Sequence, residues 1–280
     1  MTKTVTEALQ WAKAELAQGE SPLLDARILL ARSVNQSLTY LFTWPEAILT
    51  DAQWRTFCAF IERRQKGEPI AYISGERDFW SLSLAVNPAT LIPRPETELL
   101  VELALARLPS SRPTVCDLGT GTGAVALAIA TERPDALITG VDVVPAAVSL
   151  AKENAKRNKL EHVCFVHSEW FSALSDKRFD MIVSNPPYVE ETSAFLQEGD
   201  VRFEPKSALT SGPDGLKDIK IIIEQAPDWL HHQGWLLLEH GYQQGQAVHT
   251  LFNQRGFHQV TTVKDGSGHD RITMGLWRTC

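Results

Sequence analysis

From Pro113 onward the chain alternates short apolar runs with longer amphipathic ones, and that alternation leaves few folds open. The runs at 114–118, 136–142, 162–167, 179–184, 234–239, 257–263 and 271–277 read as strands. Between them, 123–132, 145–158, 217–231 and 243–255 read as helices. Regular alternation of this kind predicts a parallel sheet with helices on both faces. Only a short turn region, Asp265-Gly266-Ser267-Gly268, separates the last two strands, so at least one of them runs antiparallel. The expected fold is α/β, a doubly wound and mostly parallel seven-stranded sheet.

The first third of the chain follows a different rule. Residues 4–66 read as helices: Val5, Ala8, Leu9, Ala12 and Leu16 recur at helical spacing, with Gly19 as a stop. Ser21-Pro22 starts a second helix, and Asp51 is the expected N-cap of a third. From Ile70 to Val86 the pattern turns to near-alternation with Gly75 between the halves, which predicts a β-hairpin. Residues 92–98 form a linker that becomes a helix running to about Leu108. The expected organisation is thus a helical bundle over 1–68, a linking hairpin over 69–91 and the sheet domain over 92–280. Residues 189–216 lack periodicity, as a functional cover or a disordered loop would.

The formal net charge of −7 argues against a protein whose affinity rests on nucleic-acid phosphates. Cys58, Cys116, Cys164 and Cys280 form no CxxC pair and read as small core residues of a reducing compartment, not a metal site. The longest apolar run, Ala124 to Ala130, is too short to cross a bilayer, and no signal-type segment follows Met1. A cytoplasmic protein is expected, with nothing in the pattern that demands a dimer.

Two loops carry the chemistry. Asp117-Leu118-Gly119-Thr120-Gly121-Thr122-Gly123-Ala124 follows the first strand of the sheet domain and opens a helix. It satisfies the G-x-G-x-x-G/A pattern through Gly119, Gly121 and Ala124, which alone is a weak signal for a dinucleotide site. Asp142 ends the next strand, where a carboxylate can accept both hydroxyls of a ribose. The acidic Asp117 beside the glycines serves a pyrophosphate poorly and a cationic ligand well. S-adenosylmethionine, with its sulfonium and α-amino groups, therefore suits this loop better than NAD. The second loop is Asn185-Pro186-Pro187-Tyr188, which ends the apolar run Phe179-Asp180-Met181-Ile182-Val183-Ser184. Neither proline can donate to a sheet ladder, so the backbone leaves the sheet in a stiff extended form. Its amide, carbonyls and ring can hold a planar NH2-bearing substrate where ligands of such sheets bind. Strands one and four neighbour each other in a doubly wound sheet, which brings the two loops together.

D-x-G-T-G-T-G followed by N-P-P-Y resembles the class I adenosylmethionine-dependent methyltransferases. Residues 92–98 (IPRPETE), 117–123 (DLGTGTG), 184–188 (SNPPY) and 202–209 (RFEPKSAL), with Gly212, Asp214, Gly215 and Leu216, narrow this to a resemblance to the release factor glutamine methyltransferases. Asp25-Ala26-Arg27-Ile28-Leu29-Leu30 fits that family's small helical domain, so the resemblance spans the whole chain. It implies a Rossmann-like fold and methylation of the glutamine of the Gly-Gly-Gln motif in bacterial class 1 release factors. Gly119 to Gly123, Asp142, Trp170 and Asn185 would contact S-adenosyl-L-methionine. Asn185, Pro186, Pro187 and Tyr188 would hold the glutamine amide. No metal is implied.

Hydrogen bonds from the glutamine NH2 to the Asn185 side-chain oxygen and the Pro186 carbonyl would orient a poor nucleophile, leaving catalysis largely to positioning. Tyr188 would pack its ring on the amide plane, and Trp170 would wall the adenine. Arg94 and Glu96 either close over the donor or form a linker ion pair. Three rivals stay open: a nucleic-acid base methyltransferase using the same turn, an NAD-dependent oxidoreductase, and a non-catalytic binding module.

Overall fold

The computed structural model describes residues 3–175 and 177–279, and these fall into two compact units. One comprises the chain up to Glu76 together with Leu196–Phe203; the other comprises Arg77–Phe195 and Glu204–Cys280. The predicted core role of Cys280 lies outside the described residues.

The first unit is helical: α1 (Val5–Glu15), α2 (Pro22–Val34), α3 (Leu38–Thr43), α4 (Asp51–Gln65) and α5 (Ile70–Ser74). Two caps set its register. Thr4 and Thr50 each close a capping box, with Glu7 and Gln53 respectively, so the N-cap of α4 is Thr50 and not Asp51. Pro22 stands at the first turn of α2, where its missing N–H costs nothing. The buried core is Val5, Ala8, Leu29, Leu30, Phe57 and Ile61, with Trp11, Trp54 and Phe57 meeting edge-on or tilted. The expected strand over 70–74 is instead helix α5, started by Pro69 and ended by Gly75 in the left-handed region at φ +76°. The helix buries three consecutive residues, Ala71, Tyr72 and Ile73, and so short an apolar run fits one turn of helix or a strand equally well. Leu196–Phe203 is tied in by polar contacts: Arg64 pairs with Asp25 (2.8 Å) and Asp200 (3.3 Å), and Arg202 donates to the Lys66 carbonyl (3.3 Å).

A shorter hairpin than expected, β1 (Glu76–Phe79) and β2 (Leu82–Ala85), leads into α6 (Glu98–Leu105). Alternation then follows as predicted: β3 (Thr114–Leu118), α7 (Ala124–Glu132), β4 (Leu137–Asp142), α8 (Pro145–Arg157), β5 (Cys164–His167), β6 (Phe179–Ser184), α9 (Lys217–Trp229), β7 (Leu230–Glu239), α10 (Gly245–Arg255), β8 (His258–Lys264) and β9 (Asp270–Leu276). The seven strands lie in the order β5-β4-β3-β6-β7-β9-β8. β9 is antiparallel to both of its neighbours, and the remaining pairs are parallel. Two apolar layers cover the sheet, one including Leu100, Val115, Leu127 and Val183, the other Leu118, Ile182, Ile222 and Leu236. Cys116 is buried as expected, whereas Cys58 is only half-buried and Cys164 is exposed on edge strand β5. No helix among the described residues is long and apolar enough to cross a membrane.

This strand order has one functional consequence. After β3 the chain moves outward to β4 and β5, then returns to the other side of β3 as β6. The connections reverse direction between β3 and β6, which opens a crevice at their carboxyl ends. Leu118 pairs with Ser184 at that end, and the two signature loops begin at the next residue of each strand.

Candidate active site

The glycine loop can only be built from residues that tolerate positive φ. Gly119, Gly121 and Gly123 lie at φ +68°, +54° and +83°, where a side chain would be strained. Two carboxylates brace the turn from either side. Asp117, almost fully buried, accepts from the Thr120 hydroxyl (2.6 Å) and from the Ala126 N–H (3.3 Å) at the start of α7. Asp142 accepts from the Gly121 N–H (2.9 Å) through one oxygen and from the Val144 N–H (2.9 Å) through the other. Asn154, wholly buried on α8, ties the Thr122 carbonyl (2.9 Å) to the backbone of Ala85 on β2. Burial pushes the Asp117 carboxyl up to about 7, partly offset by its two hydrogen bonds, and Asp142 is raised for the same reason.

A partly open cavity of about 240 Å³ lies over this loop. Asp117, Gly119, Thr120, Gly121, Thr122 and Asp142 line one wall. Trp170 lines another, held at φ +47° with its indole facing Gly119, and Asn185 and Pro187 close the far side. Three predicted residues are not on the wall. Gly123 faces Phe165, Leu127 and Ala151 of the core, Pro186 is buried, and the Tyr188 side chain packs against the apolar layer beside β6. Arg94 lines the cavity but is ion-paired with Glu204, whose carboxylate also accepts from the Ile92 N–H (3.4 Å). The two segments IPRPETE and RFEP are therefore clasped together through an Arg94 ion pair. Its partner is Glu204 rather than Glu96.

Behind Asn185 runs a chain of hydrogen bonds that sequence reading missed. The Asn185 Nδ2 donates to the Thr97 hydroxyl (3.1 Å), and Thr97 donates in turn to Glu239 Oε2 (2.8 Å). The Tyr188 hydroxyl donates to Glu239 Oε1 (3.3 Å). Burial pushes Glu239 up to about 7, eased by Thr97 and by the Arg271 guanidinium; the Tyr188 phenol is raised well above its ordinary value by burial and by Glu239. Glu239 ends β7 after three leucines, a carboxylate closing an apolar strand, as Asp142 does on β4. That parallel was the available signal.

The turn is also held from outside. Tyr188 and Val189 N–H groups donate to the Leu209 carbonyl (3.1 and 2.8 Å), and Gln244 donates to the Tyr188 carbonyl (3.0 Å). Gly215, at φ +68°, lies so close that a Cβ there would sit 2.2 Å from the Tyr188 carbonyl oxygen. Gly215→Ala is accordingly expected to lose about 2–4 kcal/mol from left-handed strain and overpacking. Gly266→Ala, with nothing within 4 Å, should stay within about 0.5 kcal/mol of wild type in the same denaturant titration.

A doubly wound sheet with β9 reversed, a glycine loop braced by two carboxylates and an amide-bearing proline turn at the switch point together define a methyltransferase. The comparisons agree. Residues 7–75 match the PrmC N-terminal domain, and residues 95–201 match the methyltransferase small domain. The release factor glutamine methyltransferase of Escherichia coli (strain K12) is 51% identical over 269 residues, covering 96% of this chain and 97% of its own. That of Shewanella oneidensis is 50% identical over 274 residues, covering 98% and 96%. Among solved structures, the Thermus thermophilus 16S rRNA methyltransferase RsmC in complex with AdoMet and guanosine shares the fold at a TM-score of 0.54 and 23% identity, over 72% of this chain and 50% of its own. The chain belongs to the release factor glutamine methyltransferase family.

Proposed function

We propose that this enzyme transfers a methyl group from S-adenosyl-L-methionine to the side-chain amide nitrogen of the glutamine in the Gly-Gly-Gln motif of bacterial class 1 release factors. The observation that carries the reading is the Asn185 amide, whose nitrogen is committed to Thr97 so that its oxygen is the group left for the cavity. A substrate that presents an NH2 group is what an acceptor oxygen there suits.

The cavity fits the donor on chemical grounds. Four carboxylates, Asp117, Asp142, Glu169 and Asp218, line it, and the guanidinium of Arg94 is already paired. Such a surface repels a pyrophosphate and favours a cation. When bound, S-adenosyl-L-methionine supplies an electrophilic methyl group on its sulfonium and leaves as S-adenosyl-L-homocysteine. Gly119 to Gly123 offer backbone without side-chain obstruction, Asp142 takes the ribose hydroxyls, Trp170 covers the adenine, and Asp117 serves the amino-acid end. Asn185 Oδ1 and the Pro186 carbonyl accept from the glutamine NH2. They fix its plane and stabilise the positive charge that develops on nitrogen. The nitrogen gains a carbon and loses one proton to solvent, so no Asp, Glu or His is needed as base. Tyr188, its ring off the cavity wall, supports the amide plane indirectly, through the Glu239 carboxylate it shares with Thr97. No residue of the site calls for a metal.

The helical unit docks the release factor in this reading. Its Phe42, Trp44 and Ile48 are 61%, 59% and 66% exposed, an apolar surface of the kind protein partners cover. The enzyme acts as a monomer in the cytoplasm and needs no nucleic acid. Incubation with labelled S-adenosyl-L-methionine and a release factor, its Gln→Ala variant, DNA or rRNA tests the whole reading. Label is expected in the unmodified release factor alone; label in the Gln→Ala variant or in nucleic acid overturns it.

A further inference from the structure

Glu239 lies 1% exposed at the end of β7, off the cavity wall, with no contact to a reacting group. Burying a carboxylate is costly, and the apolar strand leading to it, Trp235 to Leu238, offers no reason for one. Its hydrogen bonds supply the reason. Above the value of about 7 to which burial raises it, Glu239 is mostly ionised. An ionised carboxylate is an acceptor only, whereas a hydroxyl donates once and also accepts, and an amide can present either face. The acceptor-only end therefore sets the direction of every bond along the chain. Thr97 has one proton, and it goes to Glu239 Oε2 (2.8 Å). The Thr97 oxygen is left to accept, so only the NH2 of Asn185 can face it (3.1 Å). The Asn185 oxygen must then point the other way.

We infer that Glu239 is a positioning residue: through the Thr97 hydroxyl it holds the Asn185 amide with its oxygen toward the substrate nitrogen. The inference rests on the reading of Asn185 as the acceptor of the glutamine NH2. Without Glu239 the Thr97 proton is free to turn toward Asn185, and the amide gains a second stable orientation. In that orientation it offers NH2 to NH2, which repels the substrate. Tyr188 is held by the other oxygen of the same carboxylate, so one buried group sets both side chains that flank the two prolines. Arg271 on β9 and Glu96 are the other charged groups that bear on Glu239, and Arg271 is itself ion-paired with Asp265 (3.1 Å).

The test uses the full-length enzyme with four variants: Thr97→Val, Thr97→Ser, Glu239→Leu and Glu239→Gln. Glutamine can still accept from Thr97 while donating to the Tyr188 oxygen, so it keeps the relay in one orientation. Thr97→Val and Glu239→Leu are expected to lower kcat by about 10–100-fold, with KM for the release factor and donor affinity within about threefold. Thr97→Ser and Glu239→Gln should recover most of that loss. The second readout needs no substrate: the side-chain NH2 resonances of Asn185, assigned by their disappearance in Asn185→Ala. Thr97→Val and Glu239→Leu should shift and broaden them, and the two conservative variants should leave them near wild type. Resonances and kcat both unchanged in Thr97→Val overturn the inference. So does a loss in Glu239→Gln as deep as in Glu239→Leu, which would mean charge or packing matters and not the relay. If Glu239→Leu does not fold, the Thr97 pair decides alone. If wild-type enzyme fails to methylate the release factor, the proposed function fails, and the resonances still report on the relay.

Discussion

Asn185→Ala is expected to lower the methyl-transfer rate by on the order of a thousandfold while leaving donor affinity within about tenfold of wild type. Removing one preorganised group aimed at developing charge typically costs about 10²–10³ in rate. Here the same group also fixes the plane of a nitrogen whose lone pair is delocalised, so the upper end of that range applies. The donor should hardly notice, because the proposed function places its main contacts on the glycine loop and Asp142, which line the opposite wall of the cavity. Calorimetric titration of S-adenosyl-L-methionine and single-turnover transfer to a release factor measure the two quantities separately. Unchanged turnover in Asn185→Ala would remove the amide clamp from the mechanism.

Donor binding is expected to weaken by on the order of thirtyfold between pH 8 and pH 5.5. The sign follows from Asp117. Burial raises its carboxyl to about 7 in the ligand-free protein, so at pH 8 it is mostly ionised and at pH 5.5 almost wholly neutral. A cation favours the ionised form, so below pH 7 binding must first expel a proton, and affinity falls by close to tenfold per pH unit. Above pH 7 the curve flattens. Asp142, also raised, adds to the acid side, while Glu169, Asp218 and the paired Arg94 complete the charged groups of the cavity. Asp117→Asn should bind the donor more weakly at pH 8 and lose most of the pH dependence. A variant with the wild-type slope would show that another group carries the titration.

What could be read from the amino-acid order depended on how local the cause was. The glycine loop was legible because positive φ at Gly119, Gly121 and Gly123 leaves almost no other residue type possible. The proline turn was legible because two residues without N–H groups cannot continue a strand. Their meeting followed from topology, since β3 and β6 are neighbours in a doubly wound sheet. Helix α5 was lost to a hairpin because five residues hold too little periodicity to tell 3.6 from 2. Helix α9, expected over 217–231, ends two residues earlier at Trp229 because Leu230 and His231 fit either element. The relay was hidden for a different reason. A carboxylate closing an apolar strand marks Glu239, but Thr97 lies 142 positions away and nothing in the residue order pairs the two. The Arg94–Glu204 clasp, 110 positions apart, was invisible for the same reason, although both of its segments were recognised by sequence.

The placement of Leu196–Phe203 with the helical unit has a consequence for anyone who wants to divide this enzyme. Two bodies joined by one connection separate with one cut. Here the chain passes between them three times, after Glu76, before Leu196 and after Phe203, so the second body is sewn to the first by a loop that begins eight residues past Tyr188. Cutting at Glu76 would leave Leu196 and Val201, 8% and 9% exposed in the intact protein, on a loop stripped of its cover. A working catalytic fragment therefore requires that this stitch be replaced as well. Evolutionary exchange of the helical unit faces the same demand: a new helical unit has to arrive with its own eight-residue loop, or accept the old one.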